Sequence, residues 1–142
     1  MKARRCLALP LSMALALLCG RAEACWQDAA DRFGVNASVL YAIARTESKL
    51  DPRARSPVNA NGSYDIGLMQ INSSWLPLLR RHGIDEQQLY DACTSIHVGA
   101  WILAQGMRRL GNSWDAVGAY NAVDPAKRLA YARKVYRNLP RD

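Results

Sequence analysis

Between residues 51 and 64 the chain reads DPRARSPVNANGSY. Two prolines, three Asn or Gly residues and no apolar period leave no room there for a helix. Asn61-Gly62 is also a hairpin-turn signal. Helical patterning returns on both sides. Trp26 to Phe33 reads as a short helix stopped by Gly34, and Asn36 can cap a second one. In that second helix Leu40, Ile43, Ala44 and position 47 share one stripe at i, i+3, i+4 and i+7. Asp65 to Ile71 is a short apolar segment suited to a small strand. Ser73 or Ser74 opens a helix to Arg81, interrupted early by Pro77 and closed by Gly83. Asp85 caps a brief turn to Tyr90. Thr94 to Leu110 is the longest helix, with Ile96, Ala100, Leu103, Met107 and Leu110 facing inward. Ser113 caps Trp114 to Tyr120, and Asp124-Pro125 opens the last helix, to about Asn138. A chain punctuated in this way is α+β and predominantly α, with one small β element near residues 60–72.

The first 24 residues do not belong to that pattern. A basic start (Lys2, Arg4, Arg5) precedes the apolar run 6–19, and Ala22-Glu23-Ala24 follows. This is the grammar of a cleaved export signal. The run is shorter than the roughly 20 residues that a spanning helix needs, which argues against an uncleaved anchor and against stable membrane insertion. Lipidation at Cys19 or Cys25 is disfavoured by bulky Leu18 and by Glu23. The expected organisation is therefore a signal peptide at 1–24 and one domain at 25–142, exported to the periplasm.

Removing residues 1–24 takes the net charge from +7 to +4, because four basic side chains leave with one acid (19−4 against 12−1). A moderate positive charge suits a long anionic polymer. Nucleic acid and the bacterial cell wall both qualify, but only the wall shares an exported compartment with the chain, and no nucleic-acid motif is present. Cys25 and Cys93 are the two cysteines left after cleavage, and in an oxidising compartment an even pair reads as one disulfide, the other reading being two free thiols. No metal-ligand spacing surrounds them, so neither a metal nor another cofactor is expected.

Glu47 occupies a stripe position that the pattern reserves for an apolar side chain. It also lies in the last turn of its helix, because Asp51-Pro52 blocks continuation. Partial burial and the negative end of the helix dipole both push a carboxyl there toward its protonated form. A carboxylic acid that holds its proton near neutrality is what general acid catalysis of an acetal requires. The bland alternative is a side chain that swings out to pair with Arg45 or Lys49. Asp65 follows the loop and can face Glu47 across a cleft as the second member of a carboxylate pair. By itself it would pass for an ordinary turn residue.

Thr46-Glu47-Ser48, Gly67-Leu68-Met69-Gln70 and Ala119-Tyr120-Asn121 occur in that order, with Ile96-x-x-Gly99-x-x-x-Leu103 ahead of the third. Together they resemble the motifs of lytic transglycosylases of the soluble lytic transglycosylase family, a goose-type lysozyme-like branch of the lysozyme superfamily. The resemblance spans the mature chain. Small size, an export signal and the Cys25/Cys93 placement look most like the members that accompany secretion systems, conjugation machines and pili. It implies a lysozyme-like fold whose small hairpin flanks the cleft, and cleavage of the MurNAc–GlcNAc β-1,4 bond of peptidoglycan. Glu47 matches the single acid/base, with the muramic acid 6-hydroxyl closing a 1,6-anhydro product. Met69 and Gln70 match cleft residues, and Tyr120 and Asn121 match the motif beside the acid. Ser48 matches the serine that supports its helix end near the substrate.

Two departures stand out. Ala122-Val123 replaces the usual Ala-Gly after the third motif. Residues 63–75, from Ser63 through Asp65, Asn72 and Trp75, also resemble the hairpin of animal-type lysozymes, which carries an aspartate at the place of Asp65. That acid makes hydrolysis by Glu47 with Asp65 the competing reaction, and a non-catalytic wall-binding adaptor is the reading of another class. Partners follow from this: peptidoglycan strands, with a secretion, conjugation or pilus component as a further one, and a monomeric enzyme. Among the aromatics, Trp75 is the best placed for a sugar face, while Trp101 and Trp114 are assigned to the core. His82 and His97 receive no chemistry. Arg108-Arg109 and the set Lys127, Arg128, Arg133, Lys134 and Arg137 read as solvated helix faces.

Overall fold

The computed structural model describes residues 25–141. The expected leader at 1–24 lies outside them. Helix α1 (25–33) ends where Gly34 turns to a φ of +67°. Helix α2 (Ala37–Ser48) starts on the Asn36 side chain, which accepts the Val39 N–H at 3.1 Å. That bond satisfies one of the orphan donors of the first turn. The α2 stripe is as expected: Leu40, Ile43 and Ala44 are fully buried. Trp26 of α1 meets Tyr41 of α2 edge-to-face at 5.7 Å.

The β element differs in detail from the expectation. Strand β1 (Asp65–Ile66) pairs antiparallel with β2 (Ile71–Asn72), and Asp65 stands opposite Asn72. The turn of this hairpin is therefore residues 67–70, inside the segment expected to be one strand. Asn61-Gly62 instead closes a separate turn in the loop, where the Asn59 N–H reaches the Ser63 carbonyl at 2.7 Å. The signal at 61–62 was local, and the register was decided by burial of Ile66 and Ile71 in the core.

After a 3-10 turn at Ser73–Trp75 comes α3 (Leu76–Arg81). Pro77 does not interrupt it. The proline occupies the first turn, where no intrahelical acceptor awaits its missing N–H. A second 3-10 turn, Gln87–Tyr90, precedes α4 (Ala92–Leu110). This helix starts two residues before the expected Thr94, because Asp91 caps it by accepting the Thr94 N–H at 2.8 Å. Ser113 caps α5 (Trp114–Gly118), and Asp124 caps α6 (Pro125–Arg137). The core is made by Leu40, Ile43, Met69, Ile96, Leu103 and Val135, all from different elements or turns of α2, α4, α6 and the hairpin. Helix α6 packs on both α2 and α5, while α4 touches α5, α2 and β2. Trp114 is a correction: it is 41% exposed and not in the core, because the first residue of a five-residue helix lies at the rim. Among the described residues no helix is long and apolar enough to cross a membrane.

Cys25 and Cys93 form a disulfide that ties α1 to the start of α4 across 68 residues, with Cα atoms 5.5 Å apart. Closing a loop of this length removes enough unfolded-chain entropy to stabilise the fold by about 4 kcal/mol at most. Denaturant unfolding of the Cys25→Ser/Cys93→Ser variant is expected to show a loss of about 2–4 kcal/mol. The same loss is expected on reducing the wild type.

Candidate active site

Glu47 sits one residue from the end of α2, and the chain stops the helix abruptly there. Lys49 and Leu50 take φ values of +56° and +68°, and the Lys49 N–H closes back on Arg45. The stop thus comes before Asp51-Pro52 and comes from a left-handed cap. Both neighbours of Glu47 are pinned. Thr46 Oγ1 donates to the Ala42 carbonyl at 2.7 Å and accepts from Asn138 Nδ2 at 3.0 Å, just beyond the end of α6. Ser48 Oγ donates to the Leu68 carbonyl at 2.7 Å and accepts the Asp51 N–H at 3.1 Å.

The Glu47 side chain does not swing out to Arg45 or Lys49. It points inward, where the Tyr131 hydroxyl of α6 donates a short hydrogen bond to Oε1. Burial pushes the Glu47 carboxyl up from its ordinary 4.5 to about 7. The Tyr131 hydrogen bond opposes that rise, the negative charge of Asp65 adds to it, and the positive charge of Lys134 opposes it again. Tyr131 itself is pushed far above its usual range, first by burial and then by the Glu47 charge, so its proton stays in place to be donated.

A cleft of about 800 Å³ opens in front of Glu47. One wall is the loop and hairpin: Asn59, Asn61, Asp65, Gln70, Asn72 and Trp75. The other is the segment 119–123, with Tyr120 and Asn121. Of the residues expected at the site, Glu47, Asp65, Gln70, Asn72, Trp75, Tyr120 and Asn121 are brought together along this cleft.

Two are not. The Met69 side chain is fully buried and lies against Gly99 of α4, where an added Cβ would come within 2.6 Å of it. It fills the core because the turn rotates it away from the cleft. Ser48 is half-buried, and its hydroxyl is spent on the backbone of the hairpin turn, so it positions Glu47 and does not face substrate.

The hairpin is held to the acid from several sides. Asp65 Oδ1 accepts from Asn72 Nδ2 at 2.8 Å across the strand pair, and its N–H bonds to Ser56 Oγ at 2.8 Å. The Tyr120 hydroxyl donates to the Met69 carbonyl at 2.9 Å. Burial raises the Tyr120 phenol well above its usual value, with the charges of Glu47 and Asp65 adding to it, so it too keeps its proton. Gln70 adopts a φ of +48° and donates from Nε2 to the Gly67 and Ala54 carbonyls, bracing the loop against the turn. Gly67 is required: its φ is +72°, and a Cβ there would meet the Leu89 carbonyl oxygen at 2.2 Å. Trp75 packs edge-to-face on half-buried Trp101 at 5.3 Å, which fixes the orientation of its ring at the cleft.

Sequence reasoning missed Tyr131. Its signal was weak but present, since a phenol on the same buried face of α6 as Ala132 and Val135 needs a polar partner. It also missed Ser95, whose buried Oγ accepts the Met69 N–H at 3.1 Å. His97 bonds the Cys93 carbonyl and Asp28, and His82 ends α3 in solvent, so neither enters the cleft.

Comparison with known proteins identifies the family. The family described as Transglycosylase SLT domain matches residues 24–137. Invasion protein IagB of Salmonella typhimurium is 46% identical over 119 residues, covering 80% of this chain and 74% of that protein. Protein IpgF of Shigella flexneri is 43% identical over 127 residues, covering 86% and 82%. An X-ray structure of an inactive mutant of the lytic transglycosylase Slt from Pseudomonas aeruginosa superimposes with a TM-score of 0.66 at 28% identity. That match covers 82% of this chain but only 23% of the longer one. With the motifs, the mainly helical fold and its two-stranded hairpin all in agreement, the chain belongs to the SLT transglycosylase domain family, with the lysozyme-like fold of the lytic transglycosylases.

Proposed function

We propose that this chain is a peptidoglycan lytic transglycosylase that cleaves the MurNAc–GlcNAc β-1,4 bond with Glu47 as the acid and then the base. The observation that carries the reading is a carboxyl with a pKa of about 7, buried at the base of a sugar-sized cleft and held by Tyr131. At neutral pH a large fraction of Glu47 carries its proton. It gives that proton to the glycosidic oxygen as the bond to the anomeric carbon breaks. The resulting positive charge is stabilised by the Asp65 carboxylate on the facing hairpin. The Glu47 carboxylate then takes the proton of the muramic acid 6-hydroxyl as that oxygen attacks the anomeric carbon, giving the 1,6-anhydro sugar. Glu47 ends protonated, ready for another cycle.

Family membership and the Slt neighbour support transglycosylation. The presence of Asp65 in the cleft favours one competing reading: water takes the place of the 6-hydroxyl, and the products are reducing ends. The side-chain carbonyl oxygens of Gln70 and Asn72, whose amide hydrogens are used within the fold, join the Asn121 amide and the Trp75 ring as the groups offered to the sugars. In this reading residues 1–24 are removed on export, the domain works in the periplasm, and it opens the wall locally for a secretion, conjugation or pilus apparatus. The name of the Salmonella relative, an invasion protein, is in keeping with such a setting.

Muropeptide mass spectrometry of digested sacculi tests the reaction. Wild type is expected to release anhydro-muropeptides, and Glu47→Gln to lose about a thousandfold in rate. Release of reducing ends by the wild type, lost in Asp65→Asn, would establish hydrolysis instead. Retained cleavage by Glu47→Gln would overturn Glu47 as the acid, and absence of any cleavage by the wild type would overturn the enzymatic reading.

The pH profile tests the acid. Since the protonated form is the active one, kcat/KM is expected to fall as pH rises through about 7. In Tyr131→Phe the hydrogen bond that favours the charged form is gone. Its alkaline limb is therefore expected at higher pH than in the wild type.

Stability tests the same shift independently. Between pH 4.5 and about 7 the folded state binds the Glu47 proton and the unfolded state does not, so wild-type stability drops as pH rises through that window. Gln at this position does not titrate. Unfolding of Glu47→Gln at pH 5 and pH 8 is expected to show a gain over wild type that is larger at pH 8, by roughly 3 kcal/mol in full.

A further inference from the structure

The cleft wall contains Glu47 and Asp65 but no Lys or Arg, so stem-peptide carboxylates on an anionic wall polymer find no counter-charge there. Cations are concentrated elsewhere. Helix α6 carries Lys127, Arg128, Arg133, Lys134 and Arg137 and no acid. Arg128 is paired with Asp115 at 3.3 Å, and Lys134 acts on Glu47. Lys127, Arg133 and Arg137 are exposed and take no part in the ion pairs of the described residues.

Beside Arg133 and Arg137 runs an aromatic ridge, whereas Lys127 lies half a turn round the helix from Tyr136. Trp114 is 41% exposed and Tyr136 61%, with the two rings edge-to-face at 5.4 Å. Leu129, Arg133 and Tyr136 recur at i, i+4 and i+7, so they form one line along the helix. None of these residues lines the cleft.

We propose that the outer face of α6 together with Trp114 is a second, non-catalytic binding site for peptidoglycan. It takes a glycan strand bearing its stem peptides. Trp114 and Tyr136 stack on pyranose faces, and Arg133 and Arg137 pair with stem carboxylates. The proposal rests on the wall-acting function above and adds to it a site that holds the enzyme on the polymer between cleavages. An anionic membrane fits less well, because the buried stripe of α6 (Tyr131, Ala132 and Val135) is committed to the core and cannot enter lipid.

Cosedimentation with purified sacculi tests this in a Glu47→Gln background, which keeps the polymer intact. Trp114→Ala/Tyr136→Ala and Arg133→Glu/Arg137→Glu are each expected to bind sacculi about tenfold more weakly, the loss typical of anchoring residues. With Glu47 restored, both variants are expected to cleave a short soluble glycan at the wild-type rate and sacculi more slowly. The charge-reversal variant alters only exposed positions, so it serves even if loss of Trp114 unfolds α5. Unchanged sacculus binding overturns the proposal. So does an equal loss of rate on the soluble glycan. Binding to phosphatidylglycerol vesicles as tight as to sacculi, lost in the same variants, would also overturn it and assign the face to the membrane. Binding to sacculi is read without turnover, and cleavage is read from products, so failure of the site and failure of the enzymatic reading are distinguishable.

Discussion

The hydrogen bond from Tyr131 to Glu47 joins the two helices on which the site depends. Burying a carboxyl without a partner would leave an orphaned polar group in the core. Giving it a charged partner would drive its proton off. A phenol that cannot ionise in the same pocket avoids both outcomes, because it satisfies an oxygen while leaving the carboxyl close to neutrality. The geometry follows from the contact of α6 with α2, reinforced at the helix ends by Asn138 on Thr46. The acid strength of Glu47 is thus a property of helix packing as much as of the residue itself.

The hairpin turn is keyed to the same frame by three side chains from different parts of the chain. Ser48 from α2 takes the Leu68 carbonyl, Tyr120 after α5 takes the Met69 carbonyl, and Ser95 from α4 supplies the acceptor for the Met69 N–H. A four-residue turn with buried backbone must have its polar groups satisfied from outside, since two-residue strands offer few ladder bonds. The same bonds that solve this problem fix where Asp65 and Gln70 stand relative to Glu47. The three short motifs, far apart in sequence, thus depend on one another in the fold: each supplies a bond or a side chain that the others need.

This explains what could and could not be read from the residues alone. Helix caps are local, so Asn36, Ser113 and Asp124 were legible; the competing acid Asp91, one turn earlier, moved the start of α4, and the helix expected from Trp114 to Tyr120 ends at Gly118. Glu47 was legible because it violated an apolar stripe. The hairpin register was not, because Asn61-Gly62 is a turn in its own right while the pairing was decided by burial of Ile66 and Ile71. Met69 was misassigned to the cleft because adjacency to Gln70 says nothing about direction. In a turn that includes residues at +72° and +48°, neighbouring side chains diverge, one into the core and one toward the cleft. Tyr131 lay 84 residues from Glu47, and no local pattern links them.

The two carboxylates of the cleft are distinguished by their surroundings. Glu47 is desolvated among helices with a neutral donor, whereas Asp65 lies at a strand end with an amide donor from Asn72 and a half-exposed side chain. A group in the first setting holds a proton, and the negative charge of a group in the second makes that proton harder to lose, as the effect of Asp65 on Glu47 shows. The positive charge of exposed Lys134 works in the opposite sense, as the smallest of the influences on Glu47. An acid that must donate and then accept within one turnover needs a pKa close to the working pH, neither as low as an exposed glutamate nor as high as a fully isolated one. Burial alone would overshoot. The Tyr131 bond is chiefly what brings it back, so Tyr131 belongs to the site although it does not line the cleft.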